Sequence, residues 1–366
     1  LKMDLLFDGR HLRASGIGIY SREQIKHLAP WAKDQGVRVA VLGVPKELGT
    51  GHDLEIVPTD STRAPMYSLR EQLVLAKSLA RTRPKAFWTP HYPYPAFSTT
   101  KTFVTVHDVL HALPPSDGGA GGIKGTYAKK MLRVSLSRST GVFVPSEATR
   151  SEIARLFGPT DKLHVAPMRI DSGWFQDAPQ STPPRGLPKD YLLFVGNVKK
   201  HKNLVGLLDA FVRIKDAIPG DLVLAGGAAN VKHQDDEVFK RLKMLGNRVH
   251  LLGNLSFKEL RDAIAGATCL VMPSFYEGVG LPPLEAMAVG TPVVASDIPS
   301  LRETCGDAVK YFRPADTSDM ASALLEVLQT PKLRESLSLR GRIQVMTRES
   351  TIDPLLPLKI ISDRCL

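Results

Sequence analysis

Two carboxylates, Glu277 and Glu285, stand eight positions apart in Phe275-Tyr-Glu-Gly-Val-Gly-Leu-Pro-Pro-Leu-Glu285. Two glycines and two prolines lie between them, and apolar runs lie on either side. Cys269-Leu-Val-Met272 reads as a short buried strand, Glu277 to Gly280 as the turn after it, and Pro282-Pro283 as the first turn of a helix, where a missing N–H costs nothing. Glu277 then occupies the loop at a strand's carboxyl end and Glu285 the following helix, the place where open parallel sheets bind ligands. Gly278, Val279, Gly280 and Leu281 offer backbone N–H groups at the positive end of a helix dipole, so the chemistry suggested is the binding of an anion.

A second stretch points the same way. Gly196-Asn-Val-Lys-Lys-His-Lys-Asn203 follows the apolar run Tyr191-Leu-Leu-Phe-Val195 and feeds a helix from about Leu204. Three lysines and a histidine ahead of a helix N-terminus oppose the dipole unless an anion shares the space, and a diphosphate would use them well. Earlier in the chain, Thr102-Phe-Val-Thr-Val106 reads as a buried strand that delivers His107 and Asp108, a pair able to orient a hydroxyl or accept its proton. Gly16 and Gly18 fall where a strand-to-helix turn exposes N–H groups, although Ser21 replaces the third glycine of a dinucleotide fingerprint. His91 and Tyr92, in the proline-rich loop Thr89 to Pro95, are candidates for contacting an acceptor.

The elements that must position these groups alternate. Strands are predicted at Leu5–Phe7, Val37–Leu42, Ala86–Trp88, 102–106, Gly141–Val144 and Leu163–Ala166 in the first half. In the second half they fall at 191–195, Leu222–Ala225, Val249–Leu252, 269–272, Val293–Ala295 and Ala308–Phe312, with helical periodicity between them. Such alternation implies an α/β chain of two doubly wound parallel sheets. The stretch 176–189, dense in proline and without apolar periodicity, reads as the linker. Asp117 to Gly122 reads as a surface loop, because it lacks the Gly-Lys-Ser/Thr ending of a phosphate loop.

At 366 residues two domains are expected. No run approaches ~18 uninterrupted apolar residues, so a spanning helix is not expected, and the opening residues lack the long apolar core of a signal peptide, which predicts cytoplasmic residence. The three cysteines have no metal-ligand spacing. Net charge is +11, unevenly spread: 25 basic against 16 acidic side chains in residues 1–185, and 23 against 21 in the rest. No zinc-finger or RNA-recognition signature accompanies that excess, so no nucleic-acid partner is expected. Lys129, Lys130 and Arg133, interleaved with Tyr127, Met131, Leu132 and Val134, suit either a helix lying on an anionic membrane or a core-facing helix with a solvated basic face.

Glu277-Gly-Val-Gly-Leu-Pro-Pro-Leu-Glu285-Ala-Met followed by Gly290-Thr-Pro-Val-Val resembles the EX7E signature of retaining GT-B glycosyltransferases of family 4 (glycosyl transferases group 1), with Val279 where Phe is usual. Weaker likeness extends along most of the chain: the Ser15-Gly-Ile-Gly18 loop, Val106-His-Asp108, Pro167 to Asp171 with Arg169 where Gly is usual, and Gly196 to Lys202 with Asn197 where Arg is usual. The resemblance implies a GT-B architecture, two Rossmann-like domains facing across a cleft. Residues 1–175 would be the acceptor-side domain, 190–343 the nucleotide-sugar-binding domain, and 344–366 a tail unlike the family's.

It also implies roles. Glu285 would bind ribose hydroxyls, Glu277 would hold the donor sugar, and Lys202 and the Gly16 loop would meet the diphosphate. Asn197 and the 278–281 turn would line the donor site, and His107 would contact the donor sugar. Anomeric configuration would be retained, with a departing phosphate oxygen taking the acceptor proton. With no Asp-x-Asp motif at a strand end, and Asp235-Asp236-Glu237 on a charged helix, no metal and no cofactor are expected beyond the nucleotide-sugar substrate. The stretches 196–203 and 277–285 are similar to bacterial mannosyltransferases of surface-polysaccharide assembly. They point to transfer of mannose from GDP-mannose to a saccharide or lipid-linked acceptor, peripheral on the inner membrane face. A UDP-glucose-type donor, a GT-B epimerase or phosphorylase, and a catalytically weakened homologue are the alternatives.

Overall fold

The computed structural model describes residues 3–13, 15–48, 54–59, 68–114, 119, 121–176, 186–227 and 236–366. Most of the expected 176–189 linker, Asp235, and half of the Asp117–Gly122 loop lie outside them. By internal contacts the chain forms two compact units, one of Leu1–Pro115, Gly119–Arg169 and Ile352–Leu366, the other chiefly Ile170–Thr351.

The first unit is built on seven strands among the described residues: β1 Leu5–Asp8, β2 Val39–Gly43, β3 Glu55–Pro58, β4 Ala86–Thr89, β5 Lys101–Thr105, β6 Gly141–Val144 and β7 Leu163–Val165. They pair in parallel in the order β3-β2-β1-β4-β5-β6-β7. In β1, β4 and β6 every residue is buried, as a strand covered on both faces requires. Leu6, Ala40, Leu42, Val57 and Phe87 pack on one face against Leu75 and Leu79 of the helix Leu69–Thr82. Strand β3 was not anticipated: its burial pattern is half-exposed, without a strong apolar run.

The second unit repeats the plan with β8 Tyr191–Val195, β9 Asp221–Ala225, β10 Val249–Gly253, β11 Cys269–Met272, β12 Val293–Ser296 and β13 Lys310–Phe312. Their parallel order is β10-β9-β8-β11-β12-β13. Alternation along β8 divides its side chains between two cores. Leu192 and Phe194 join the helices Leu204–Ile214 and Thr317–Gln329, while Tyr191 and Leu193 face the helix Leu281–Val289.

Both sheets therefore reverse their strand order once, between β1 and β4 and between β8 and β11. Loops leaving the carboxyl ends of those strands diverge there and open the crevice in which such sheets take ligands.

The end of the chain is helical, with Pro331–Thr351 in the second unit and Leu356–Cys365 in the first. Leu358 and Ile361 are fully buried, Arg364 donates to the Thr140 carbonyl at 2.6 Å, and Lys101 donates to the Arg364 carbonyl at 3.0 Å. Arg169, at the position where glycine is usual, donates to the Ile352 carbonyl at 2.9 Å and so fastens this returning segment.

Candidate active site

At the β8/β11 reversal the backbone is built for close approach. Gly226 stands at φ +110°, and a Cβ there would lie 2.5 Å from the Gly196 carbonyl oxygen; the Gly226 N–H donates to Gly253. Glycine is therefore required where β8, β9 and β10 end side by side. Beyond Gly196 the chain makes a short 3-10 turn over Lys200–Lys202. Asn203, at φ +52°, then caps the helix Leu204–Ile214 by accepting the Gly206 N–H, and donates to the Pro314 carbonyl. The Phe275 N–H donates to the His201 carbonyl at 2.8 Å, tying the loop after β11 to the loop after β8.

That tie sets Lys202 Nζ 2.7 Å from Glu277 Oε1. The side chains keep 18% and 11% of their exposure, enough for a ligand to reach both. Gly280, at φ +86°, begins the helix Leu281–Val289, and the prolines at its start leave few N–H groups there; a Cβ on Gly280 would lie 2.4 Å from Leu301 Cδ2. Glu285, on that helix, is 9% exposed among Leu284, Ala286 and Met287, and its carboxyl has no hydrogen-bond partner among the described residues. Burial alone pushes its carboxyl up to about 7. A nearly buried carboxyl without a protein partner suits a ligand that supplies hydroxyl donors. Asn197 is exposed, and its side chain lies against Gly227, where a Cβ would come within 2.7 Å of Oδ1. The Val279 carbonyl accepts from Thr304 Oγ1.

In the first unit, Gly16 is the second residue of the helix Ser15–Gln35. A Cβ on Gly16 would meet nothing within 4 Å, whereas one on Gly18 would strike the Leu12 carbonyl at 2.4 Å. Packing demands the second glycine only, and the first fronts open space at a helix N-terminus. One turn on, Tyr20 meets the His107 ring edge-on at 4.8 Å between centroids. His107 Nε2 donates to the Pro90 carbonyl at 2.8 Å, which fixes the tautomer and leaves Nδ1 as an acceptor. Burial lowers its pKa, so the ring is neutral at physiological pH. Asp108, its neighbour, accepts the Leu110 N–H and shapes the turn.

His91 departs from expectation. It is 1% exposed, with Nε2 2.8 Å from Glu71 Oε1 and Nδ1 3.0 Å from Thr89 Oγ1. Both ring nitrogens are engaged inside the protein, so it presents nothing to an acceptor. Tyr92 is buried as well.

The cluster holding His91 was missed by sequence reasoning. Arg10 donates to Asp8 through two bonds of 2.7 Å and to Glu71 at 3.2 Å, and His11 Nε2 lies 3.3 Å from the same Glu71 oxygen. Burial opposes ionisation of Glu71, but the hydrogen bonds from His11 and His91 and the charges of His91 and Arg10 outweigh it, holding the carboxyl well below its usual range. The available signal was Asp8-x-Arg10-His11 at a strand's end. Its partner Glu71 lies in the first turn of the helix Leu69–Thr82, its N–H donating to the Ser68 cap, where a glutamate carries no special signal.

The basic helix Gly122–Arg138 buries Ala128, Leu132 and Leu136 and exposes Lys129, Lys130 and Arg133. Its apolar face is committed to the core. Asp236 and Glu237 open a charged helix where Glu237 pairs with Lys240 and Arg241. Among the described residues no helix is long and apolar enough to cross a membrane.

Residues 180–344 match the family profile described as glycosyl transferases group 1, and residues 14–173 that of glycosyltransferase family 4. The chain is 30% identical over 269 residues to O-antigen chain mannosyltransferase B of Escherichia coli, covering 70% of this chain and 68% of that protein. It is 28% identical over 250 residues to O-antigen chain mannosyltransferase RfbU of Salmonella typhimurium, covering 68% and 66%. With MMP alpha-(1->4)-mannosyltransferase of Mycolicibacterium hassiacum it shares 30% identity and spans only 47% of that protein's length. Among solved structures, sucrose-phosphate synthase from Thermosynechococcus elongatus superposes with TM-score 0.77 at 19% identity over 99% of this chain and 98% of that one. WaaG, a glycosyltransferase involved in lipopolysaccharide biosynthesis, gives 0.74 at 14% over 98% and 99%. Anabaena HepE in complex with UDP and glucose gives 0.75 at 16% over 99% and 98%. These likenesses show the GT-B fold.

Proposed function

Because the chain belongs to family 4 of the GT-B glycosyltransferases, we propose that it transfers mannose from GDP-mannose, with retention and without a metal, to a saccharide or lipid-linked acceptor in polysaccharide assembly. The observation that carries the reading is the Lys202–Glu277 contact of 2.7 Å at the β8/β11 reversal, beside a helix that begins at Gly280 and bears Glu285.

Breaking the anomeric C–O bond develops positive charge on the sugar and negative charge on the departing diphosphate, and fixed donors that meet the second charge lower the barrier. Lys202 is the group that would do so. Its present partner Glu277 is then freed to hold a sugar hydroxyl, so donor binding exchanges one ion pair for two substrate contacts. Glu285 would accept the ribose hydroxyls, which suits a carboxyl with little solvent and no donor among the described residues. In the first unit, the N–H groups at Gly16 offer a second seat for phosphate, and His107 Nδ1 can accept a sugar hydroxyl. The departing phosphate oxygen takes the acceptor proton. Exposed Lys129, Lys130 and Arg133 would meet anionic headgroups by charge alone, which predicts a salt-sensitive contact.

The O-antigen mannosyltransferase relatives support mannose and a surface polysaccharide. HepE, whose structure holds UDP and glucose, supports a UDP-glucose donor as the second reading. A panel of nucleotide sugars, followed by donor binding and hydrolysis without added Mg2+ or Mn2+, decides between them. GDP-mannose should bind and turn over, and Glu277→Ala should abolish turnover. Preference for UDP-glucose would install the second reading, and binding of neither GDP nor UDP would overturn both.

A further inference from the structure

The buried cluster at the β1/β4 reversal has the composition of a metal centre. His11 from the loop after β1, Glu71 from the helix Leu69–Thr82 and His91 from the loop after β4 bring one ligand atom each to within 4.8 Å of one another. The Nε2 atoms of His11 and His91 lie 3.3 and 2.8 Å from Glu71 Oε1. In a tetrahedral zinc site with bonds of about 2.1 Å, ligand atoms stand roughly 3.4 Å apart, and two histidines with a glutamate are a known zinc set. Small side-chain adjustments thus convert the cluster into a coordination shell.

The surroundings supply what such a shell needs. His91 Nδ1 lies 3.0 Å from Thr89 Oγ1, which in turn lies 3.4 Å from Asp8 Oδ2. With Nε2 on a metal, Nδ1–H donates to Thr89 and the hydroxyl donates on to Asp8, the outer-shell chain that orients a histidine ligand. Arg10, the nearby cation, is matched by Asp8 through two 2.7 Å bonds, and its reach to Glu71 is a single contact of 3.2 Å. One lone pair of the Glu71 oxygen can serve Arg10 while another serves an ion. The Glu71 and His91 side chains are 0% and 1% exposed, but His11 keeps 10%, leaving one side for entry and for a water as fourth ligand.

We propose that His11, Glu71 and His91 bind a divalent transition-metal ion, zinc foremost, which ties together two loops and a helix of the first unit. The ion is structural. It lies in a different unit from Lys202, Glu277 and Glu285 and is independent of the donor chemistry proposed above.

The test uses the full chain, stripped with chelator and titrated with Co2+ and then Zn2+ by calorimetry and visible absorption. One equivalent of Co2+ should bind with the visible bands of a four- or five-coordinate ion, and Zn2+ should displace it. His11→Gln and His91→Gln should each remove stoichiometric binding. Thr89→Val should weaken it about 10- to 100-fold, and His250→Gln, in the second unit, should leave it unchanged. If the buried His91 variant fails to fold, the more exposed His11 carries the test. Paramagnetically shifted imidazole N–H resonances in the Co2+-loaded wild type report the ligands without any substitution. Absence of stoichiometric binding, or binding indifferent to both substitutions, would overturn the proposal and leave the cluster a hydrogen-bonded ion network.

Discussion

The two strand-order reversals of this molecule share a topology and treat their charges in opposite ways. At β1/β4, Asp8, Arg10 and Glu71 have side chains with no exposure and hold one another through several short bonds. At β8/β11, Lys202 and Glu277 meet through one contact and keep 18% and 11% exposure. A sealed, multiply bonded ion cluster is a fixture, because removing one partner strands a buried charge. A pair that keeps some exposure and is held by a single bond can exchange its partner for substrate at smaller cost than a sealed one, because the substrate supplies the replacement contacts. The same kind of crevice holds a sealed ion cluster in one sheet and the candidate site, with its reachable pair, in the other.

The largest test of this contrast is Asp8→Ala. It leaves the Arg10 guanidinium buried without its main counter-charge and should cost about 3–5 kcal/mol in urea unfolding. A loss within about 1 kcal/mol would erase the distinction. The carboxylates of this cluster are held below their usual range, Asp8 because Arg10 outweighs the burial penalty. Their stabilising contribution is therefore present at neutral pH and is lost as pH falls below the ordinary carboxylate range.

Lys202→Ala should do the reverse. Turnover should drop about 10²- to 10³-fold, the usual cost of removing a preorganised donor to developing negative charge, while stability changes by less than about 1 kcal/mol. Unfolding as severe as that of the Asp8 variant would make Lys202 part of the scaffold.

Glu285→Gln sharpens the comparison at its boundary. The folded carboxyl titrates near 7 and the free one near 4.5, so the folded state holds the proton across that window. Wild-type stability should then decline as pH rises from about 5 to 7, and the glutamine variant should lack the decline. Above pH 7 the variant should be more stable by about 3 kcal/mol, since each tenfold difference in proton affinity between the folded and unfolded chain is worth about 1.4 kcal/mol. It should also bind nucleotide more weakly. A flat wild-type pH profile would show that Glu285 is solvated better than its burial implies.

The placement of the candidate site's residues was largely legible beforehand. Apolar runs ending in glycine marked β8, β9 and β10, a short apolar run marked β11, and Pro282-Pro283 marked the start of a helix, so Lys202, Glu277 and Glu285 could be assigned to loops and a helix at strand ends. Gly16 was singled out by the resemblance, and the structure adds a reason to distinguish it from Gly18, whose Cβ would collide with Leu12. The sealed cluster was not legible. Arg10 and Glu71 lie 61 positions apart, and nothing near Glu71 distinguishes it from a residue favoured by a helix N-terminus. His91 misleads for the same reason, since a histidine in a proline-rich loop looks available until its neighbours are known.

The sequence by itself determined most of the elements and their order, β3 excepted, because apolar periodicity and glycine and proline punctuation act within a few residues. Tertiary structure alone decided which charges are sealed and which stay reachable. Arg10 with Glu71 and Lys202 with Glu277 meet only when a sheet sets its first strand beside its fourth, and burial is a property of what packs around a residue.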